Sequence, residues 1–275
     1  NSLSRIIGDN VFLIDLLSNS GVNRIGKCGK CDKEYEPDSD RCRKCDYPVK
    51  FIHGSTLIGM TSRPSFKKIY AVDLDRNNLS ALSARVDFLK PRIGCTSDFV
   101  TYTGDCNVRI DDILNDIRWI EEGGTRRKRN CHYLALVDNK GLDANWETIR
   151  KMLDDVYCDL IINFPTSSYN RNYQSAKAQR FFGVSRFEEL PDTGQSAVAF
   201  YMEKIRRVGE RYVETVSVRT DISYHYDLIF VTKSNPGFKP YLDSLKTIVQ
   251  RYSANDVRTA FDLIDGRVRP IAYFT

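Results

Sequence analysis

The stretch VFLIDLLSNSG, residues 11–21, runs apolar residues together, breaks them with an aspartate and ends in small polar residues and a glycine. A short continuous apolar run closed by turn-forming residues reads as a strand buried on both faces. Four more runs repeat the pattern: KKIYAVDLD (67–75), DFVTYTGD (98–105), CHYLALVDNKG (131–141) and YCDLIINFP (157–165). Amphipathic segments lie between them. Leu79, Leu82, Val86 and Leu89 share one helical face, as do Ile110, Ile113, Leu114 and Ile117, and then Trp146, Ile149 and Leu153. Strand followed by helix, five times over, predicts an α/β fold with a mostly parallel sheet and helices on both faces. Further along, VAFYMEKIRRVGERY (198–212) and KPYLDSLKTIVQRY (239–252) read as helices, and YVETVSVRT (212–220) and YHYDLIFVTKSN (224–235) as strands that add an antiparallel edge. Residues 166–196, rich in Ser, Asn, Arg and Gln, are expected to make a long excursion over the ligand-facing edge.

The chain has 275 residues, 41% of them hydrophobic, which supplies one large domain with a core. The net charge of +5 suits a nucleic-acid partner without requiring one. No apolar segment approaches the roughly 20 residues that span a bilayer, and the first residues lack a signal-peptide pattern. A cytoplasmic protein with no membrane association is expected.

Of eight cysteines, Cys95, Cys106, Cys131 and Cys158 are scattered and read as buried thiols. The other four are packed together as Cys28-x2-Cys31 and Cys42-x2-Cys45. Each two-residue spacing lets a tight turn aim two thiolates at one point, and two such turns complete a tetrahedral zinc site. A disulfide pair and an iron–sulfur cluster are the alternatives. The polar intervening sequence cannot fill a core, so one structural Zn2+ would hold this module, residues 27–50, together. It would present Lys27, Lys30, Arg41, Arg43 and Lys44 to a polyanion, or be a stapled loop without a partner.

In an open α/β sheet, ligands bind beyond the carboxyl ends of the strands where strand order reverses. The residues that follow the five runs are Asp15, Ser18, Asn19, Ser20 and Gly21; Asp73 and Asp75; Gly104, Asp105 and Asn107; Asp138, Asn139, Lys140 and Gly141; Asn163, Phe164, Pro165 and Thr166. Asp73 or Asp75 is placed to accept from ribose hydroxyls, Asp105 from an adenine amino group, and a glycine-containing first turn would let a ligand approach the backbone. Taken in order, these residues point to a nucleoside-containing cofactor. The chain lacks both the Gly-x-Gly-x-x-Gly fingerprint and the P-loop pattern, which argues against dinucleotide and nucleoside-triphosphate binding.

The segments FLIDLLSNSG, HGSTLIGM, AVDLDRNNL, GDCN, YLALVDNKGLDANWETI, DLIINFPTSSYNR and YHYDLIFVTKSNPG together resemble the three-Cys-motif partner family, a group within the S-adenosylmethionine-dependent methyltransferase superfamily. The resemblance covers most of residues 11–240. It implies a Rossmann-like fold with a seven-stranded, mostly parallel sheet and the four-cysteine module as a small zinc-ribbon-like insertion. It also implies S-adenosylmethionine as cofactor, with Asp15 and Gly21 at the ends of the cofactor loop, Gly54 and Ser55 opening the first helix, Asp73 near the ribose, Asp105 near the adenine and Asp138 facing the transfer centre. Two departures stand out: Asn19 replaces the first loop glycine, and Asp138-Asn139-Lys140-Gly141 replaces Asp-Pro-x-Gly, with no Pro-Pro-aromatic clamp.

Under this reading, Asp138 and Asn139 would hold an amino group toward the cofactor methyl while Asn163 and Thr166 orient the acceptor, although capping the following backbone is an equal alternative. Tyr169, Arg171, Tyr173, Lys177 and Arg180 would supply stacking and phosphate contacts to RNA or DNA. The run TRRKRN (125–130) falls at the amino end of its strand, opposite the cofactor edge, and reads as a solvated charge run. A methyltransferase acting on a nitrogen of RNA or DNA is the leading expectation. A catalytically silent nucleic-acid-binding or protein-interaction scaffold and a small-molecule methyltransferase are the alternatives.

Overall fold

The alternation in sequence becomes a layered sheet in space. The computed structural model describes residues 11–24, 30, 31, 33, 41–47, 51–62, 64–122, 125–128, 131–155, 157–219, 225–233, 239, 240, 243, 244 and 247. In chain order these form β1 (Val11–Asp15), β2 (Val22–Arg24), β3 (Phe51–His53), α1 (Ser55–Gly59), β4 (Lys68–Asp73), α2 (Arg76–Leu89), β5 (Asp98–Thr103), α3 (Cys106–Arg118), β6 (Trp119–Glu122), β7 (Thr125–Lys128) and β8 (His132–Asp138). There follow α4 (Trp146–Leu153), β9 (Cys158–Phe164), α5 (Thr166–Asn172), α6 (Ala176–Phe182), a 3-10 turn at Phe187–Glu189, α7 (Gly194–Arg206), β10 (Arg211–Arg219) and β11 (His225–Lys233).

Seven strands pair in the order β10-β11-β9-β8-β1-β4-β5. β5, β4, β1, β8 and β9 are parallel, while β11 runs antiparallel to both β9 and β10. This is the Rossmann-like, mostly parallel seven-stranded sheet with an antiparallel closing pair. The chain steps outward from β1 to β4 and β5, then returns to place β8 on the other side of β1. Strand order therefore reverses at β1, and the crevice beyond the carboxyl ends of β1 and β8 is where such a sheet binds ligands.

Successive side chains of a strand face opposite ways, so each buried strand feeds two cores. Leu13, Ile69 and Ala71 pack with Leu57 of α1, with Met60 just after it, and with Leu79, Leu82 and Val86 of α2. On the other face Phe12, Ile14, Tyr70 and Val72 pack with Ile110, Ile113, Leu114 and Ile117 of α3 and with Ile149 and Met152 of α4. The helical faces are those the apolar spacing predicts. Two helices begin on the aspartates that follow the strands. Asp75 accepts from Asn77 N at the start of α2, and Asp105 accepts from Asn107 N at the start of α3. Such a cap contributes about 1 kcal/mol, and it turns the chain at the strand edge.

Three expectations change. Residues 166–196 are helical rather than a loop: they hold α5, α6 and the start of α7, and Tyr169, Phe181 and Phe182 are buried among Phe164 and Tyr201. Their polar residues misled because both helices expose a polar face over an aromatic core. α7 starts at Gly194, earlier than its apolar pattern suggests, because Thr193 and Ser196 form a reciprocal capping box. The basic run at 125–130 contributes β7, which pairs only with β6 as a separate two-stranded ribbon. Residues 239, 240, 243, 244 and 247 are helical, and the rest of the helix expected over 239–252 lies outside the described residues. Among the described residues no helix is long and apolar enough to cross a membrane.

Candidate functional site

Two cavities open side by side along the carboxyl ends of the parallel strands. One, of about 210 Å3, lies between the β1 loop and the ends of β8 and β9, lined by Leu17, Ser18, Asn19, Gly54, Ser55, Asp138, Lys140, Asn163 and Leu228 among others. Its neighbour, of about 250 Å3, is lined by Asp73, Leu74, Gly104, Asp105, Cys106, Asn107, Leu142, Asp143, Lys177 and Arg180, and both contain Leu17. Small-molecule sites run to about 300 Å3 and above, so neither alone is large enough; taken together as one trough on either side of Leu17 they reach that size.

Two aspartates organise the hydrogen bonds around the trough. Asp15, at 0% exposure, accepts from Ser55 Oγ at 2.5 Å and Thr56 Oγ1 at 2.6 Å through Oδ2, while Oδ1 has no partner among the described residues. Burial pushes its carboxyl pKa up; the two hydroxyls oppose this, and the nearby Asp138 charge adds to it. Asp73 accepts from Asn19 N at 2.9 Å, from Asp75 N at 2.8 Å and from Asn78 Nδ2 at 3.2 Å. A carboxylate has about four acceptor positions, so Asp73 keeps one for a ligand hydroxyl. Asn19 stands at φ 53, the left-handed conformation its replacement of glycine requires, with its side chain accepting from Ser20 N.

Gly54 and Gly104 line the cavities, Gly21 lines neither, and each has a packing reason to lack a side chain. A Cβ on Gly21 would sit 2.3 Å from Leu82 Cδ1 and 3.3 Å from Leu57 Cγ, and its φ is +75. One on Gly54 would sit 3.2 Å from the Gly21 carbonyl, to which Gly54 N donates at 2.7 Å. Gly104, at φ +133, is covered by Arg109, whose Nε donates to Thr103 O.

At the opposite end, Asp138 is exposed and accepts from Asn163 Nδ2 at 2.7 Å. The carboxylate can only accept there, which fixes the amide orientation and leaves Asn163 Oδ1 buried without a partner among the described residues. Asn139 and Thr166 do not join them. Asn139 is fully buried, donating to Asn163 O and accepting from Ala144 N, and the buried Thr166 hydroxyl donates to Asp227. Both side chains tie backbone segments together. Asp75 and Asp105 cap helices, and Ser18 donates its hydroxyl to Val72 O.

Of the residues expected to meet a nucleic acid, Tyr169 is corrected: it is fully buried and its hydroxyl donates to Pro191 O, so its ring is closed to stacking. Tyr173 is half-buried against the same core. Lys177 and Arg180 line the second cavity, with Lys177 Nζ 2.7 Å from Asp143 Oδ1. Arg171 reaches Ser168 Oγ, which itself donates to Lys140 O. Arg211 is spent internally, donating to the carbonyls of Cys158, Leu153 and Asp155. Thr56, Leu142 and Asp143 escape the strand-end rule because they do not adjoin a strand, and Leu74, which directly follows β4, escapes it because the rule is applied to polar residues. Cys106 lines the second cavity, but burial pushes its thiol up to about 12, so it is no nucleophile.

The cysteine module contributes a separate centre. Cys31, Cys42 and Cys45 bring their Sγ atoms within 4.8 Å of one another, with Cys31 to Cys42 at 3.6 Å and Cys45 to Cys31 at 3.7 Å. A disulfide needs about 2.05 Å, whereas Zn–S bonds of about 2.3 Å imply tetrahedral edges of about 3.8 Å. The donor set therefore fits zinc. Cys28 lies outside the described residues. The second knuckle closes through Asp46 N to Cys42 O at 2.7 Å and Cys42 N to Tyr47 O at 2.8 Å, with Asp46 at φ 55 and its carboxylate 2.7 Å from Arg41 Nε. Lys30, Arg43 and Lys44 are exposed on this module.

The sequence matches no protein-family model and no curated protein. Similar solved structures include an rRNA methylase from Streptococcus thermophilus, with 14% identity over 85% of this chain and 92% of that one at a TM-score of 0.44. The methyltransferase domain of a bacterial protein, CtHen1-C, has 12% identity over 85% and 94% at a TM-score of 0.41. SMU.1697c from Streptococcus mutans, solved in complex with SAH, has 11% identity over 84% and 93% at a TM-score of 0.41. At these identities and scores the likeness is one of chain path.

Proposed function

We propose that the trough binds S-adenosylmethionine and that the protein transfers its methyl group to a nitrogen of a nucleic acid. The observation that carries this reading is the row of carboxylates, Asp73, Asp105 and Asp138, along one ligand-sized trough at the reversal of strand order. Lys140, Lys177 and Arg180 stand in the same lining, so its charge is mixed, and what the carboxylates add is acceptors for hydroxyl and amino groups. When bound, the cofactor supplies an electrophilic methyl group on a sulfonium.

The chain's own residues then divide the work. Asp73 offers its remaining acceptor position to a sugar hydroxyl, and Leu74, Leu142 and Cys106 give the second cavity apolar walls suited to a base. Asp138, held by Asn163 Nδ2, accepts an N–H of an acceptor amino group and so orients the nitrogen lone pair toward the methyl. Catalysis here is orientation and charge placement, without a protein nucleophile. Lys140, Arg171 and Arg180 around the trough supply positive charge for phosphates. Within the resemblance seen in the sequence, this remains the reading of a three-Cys-motif partner.

A second reading, a binding scaffold without transfer, is favoured by one observation: among the described residues no aromatic ring lines either cavity. Calorimetry with SAH, followed by transfer of labelled methyl from S-adenosylmethionine into separate RNA and DNA pools, separates the two. Binding with transfer supports the enzyme, while binding without transfer, or no binding of SAH, overturns it and leaves the silent scaffold.

A further inference from the structure

The cysteine module is joined to the cofactor loop by a ribbon of two three-residue strands. Val22 pairs with His53, Asn23 with Ile52 and Arg24 with Phe51. At the root of this ribbon, Gly54 N donates to Gly21 O at 2.7 Å, and the next residue, Ser55, donates to Asp15. On the other strand the root runs straight into Asn19, whose N–H is bound by Asp73. The residues that shape one end of the trough are therefore the residues that start and finish the ribbon.

So short a two-stranded ribbon does not hold itself. The chain leaves the ribbon after Arg24 and re-enters it at Phe51, and the three converging thiols lie between these points in sequence. We infer that the metal-bound cysteine cluster orders the ribbon, and through Gly21, Gly54 and Ser55 sets the affinity of the trough for its cofactor. The inference rests on the methyltransferase reading for the identity of that cofactor, but the mechanical link does not. Closure probability falls as roughly the three-halves power of loop length; bridging Cys31 to Cys45 cuts the free span from about 26 residues to about 11, a factor of roughly four. A trough competent only when the ribbon is ordered loses affinity by the fraction of competent molecules.

The test uses the full chain purified with zinc. Zinc content is read with a colorimetric chelator as thiols are titrated, the metal is stripped and then restored, and SAH binding is followed by calorimetry alongside native-state hydrogen exchange. The expected result is that metal loss raises exchange of the Gly54 amide, which donates to Gly21 O, and weakens SAH by up to about four-fold, both reversed by zinc, with Cys42→Ser reproducing the stripped state. Unchanged exchange at Gly54 after confirmed metal release overturns the coupling, as does a chain that binds no zinc. If the zinc-loaded chain does not bind SAH, the proposed cofactor is wrong, and the exchange data alone decide the coupling.

Discussion

Gly21→Ala separates packing from ligand approach at the first loop. At φ +75 a side chain costs about 1–2 kcal/mol in backbone strain. The added methyl would lie 2.3 Å from Leu82 Cδ1, a distance no contact tolerates, and 3.3 Å from Leu57 Cγ. Both neighbours are fully buried against the sheet and have little room to withdraw, so overpacking adds about 1–3 kcal/mol. The expected loss of unfolding free energy is about 2–5 kcal/mol, read from the midpoint of urea denaturation at constant slope. Leu82→Ala removes the clashing methyl at the cost of its own cavity. The double variant should therefore be less destabilised than the two singles predict, by about 1–3 kcal/mol in a double-mutant cycle. A Gly21→Ala protein within about 0.5 kcal/mol of the parent but with impaired SAH binding would refute this and restore the ligand-approach role.

Tyr201 is fully buried and its hydroxyl has no partner among the described residues. Tyr201→Phe should stabilise the protein by about 1 kcal/mol in thermal melting, because an unsatisfied buried hydroxyl is removed from a well-packed aromatic cluster. Burial raises the Asp15 carboxyl pKa, so the folded state holds this proton to higher pH than the unfolded chain does. Its contribution is fully present below the ordinary aspartate value near 3.8 and is lost as pH rises through the raised folded value; Asp159, also raised by burial, acts in the same direction. Denaturation midpoints measured between acid and neutral pH should show this falling component weakened in Asp15→Asn. Asn163→Ala should lower methyl transfer by about 10–100-fold with SAH affinity nearly kept, since Asn163 holds Asp138 rather than the cofactor end of the trough. Arg180→Glu should weaken RNA or DNA binding and flatten its salt dependence by about one counterion, read by filter binding across a salt series.

Much of the fold is legible in the residues because the signals are local. Apolar runs such as VFLID and LALVD are long enough to be strands buried on both faces, and Leu79, Leu82 and Val86 recur at helical spacing. The strand-end rule then brings Asp15, Asp73, Asp105 and Asp138 to one edge on the order of elements alone. It reads position without direction. Asn139 and Asn163 both stand at this edge, yet Asn139 turns into the protein and Asn163 lines the cavity. Tyr169 and Arg171 are two residues apart, and only the helix they share puts one in the core and leaves the other exposed.

The alternation of strands and helices, the cysteine spacing and the acidic strand ends are all written in the amino-acid order, because each depends on residues near one another in the chain. What those residues face is settled only when the chain closes on itself. Gly21 is small because Leu82, far along the chain, fills the space beside it. Lys177 meets Asp143 because α6 folds back over the β8 edge, and Asp15 is buried because Ser55 and Thr56 return to it from beyond the cysteine module. These contacts join residues that only the closed sheet brings together, and burial, which follows from the whole packing, sets the charge state each carboxylate holds.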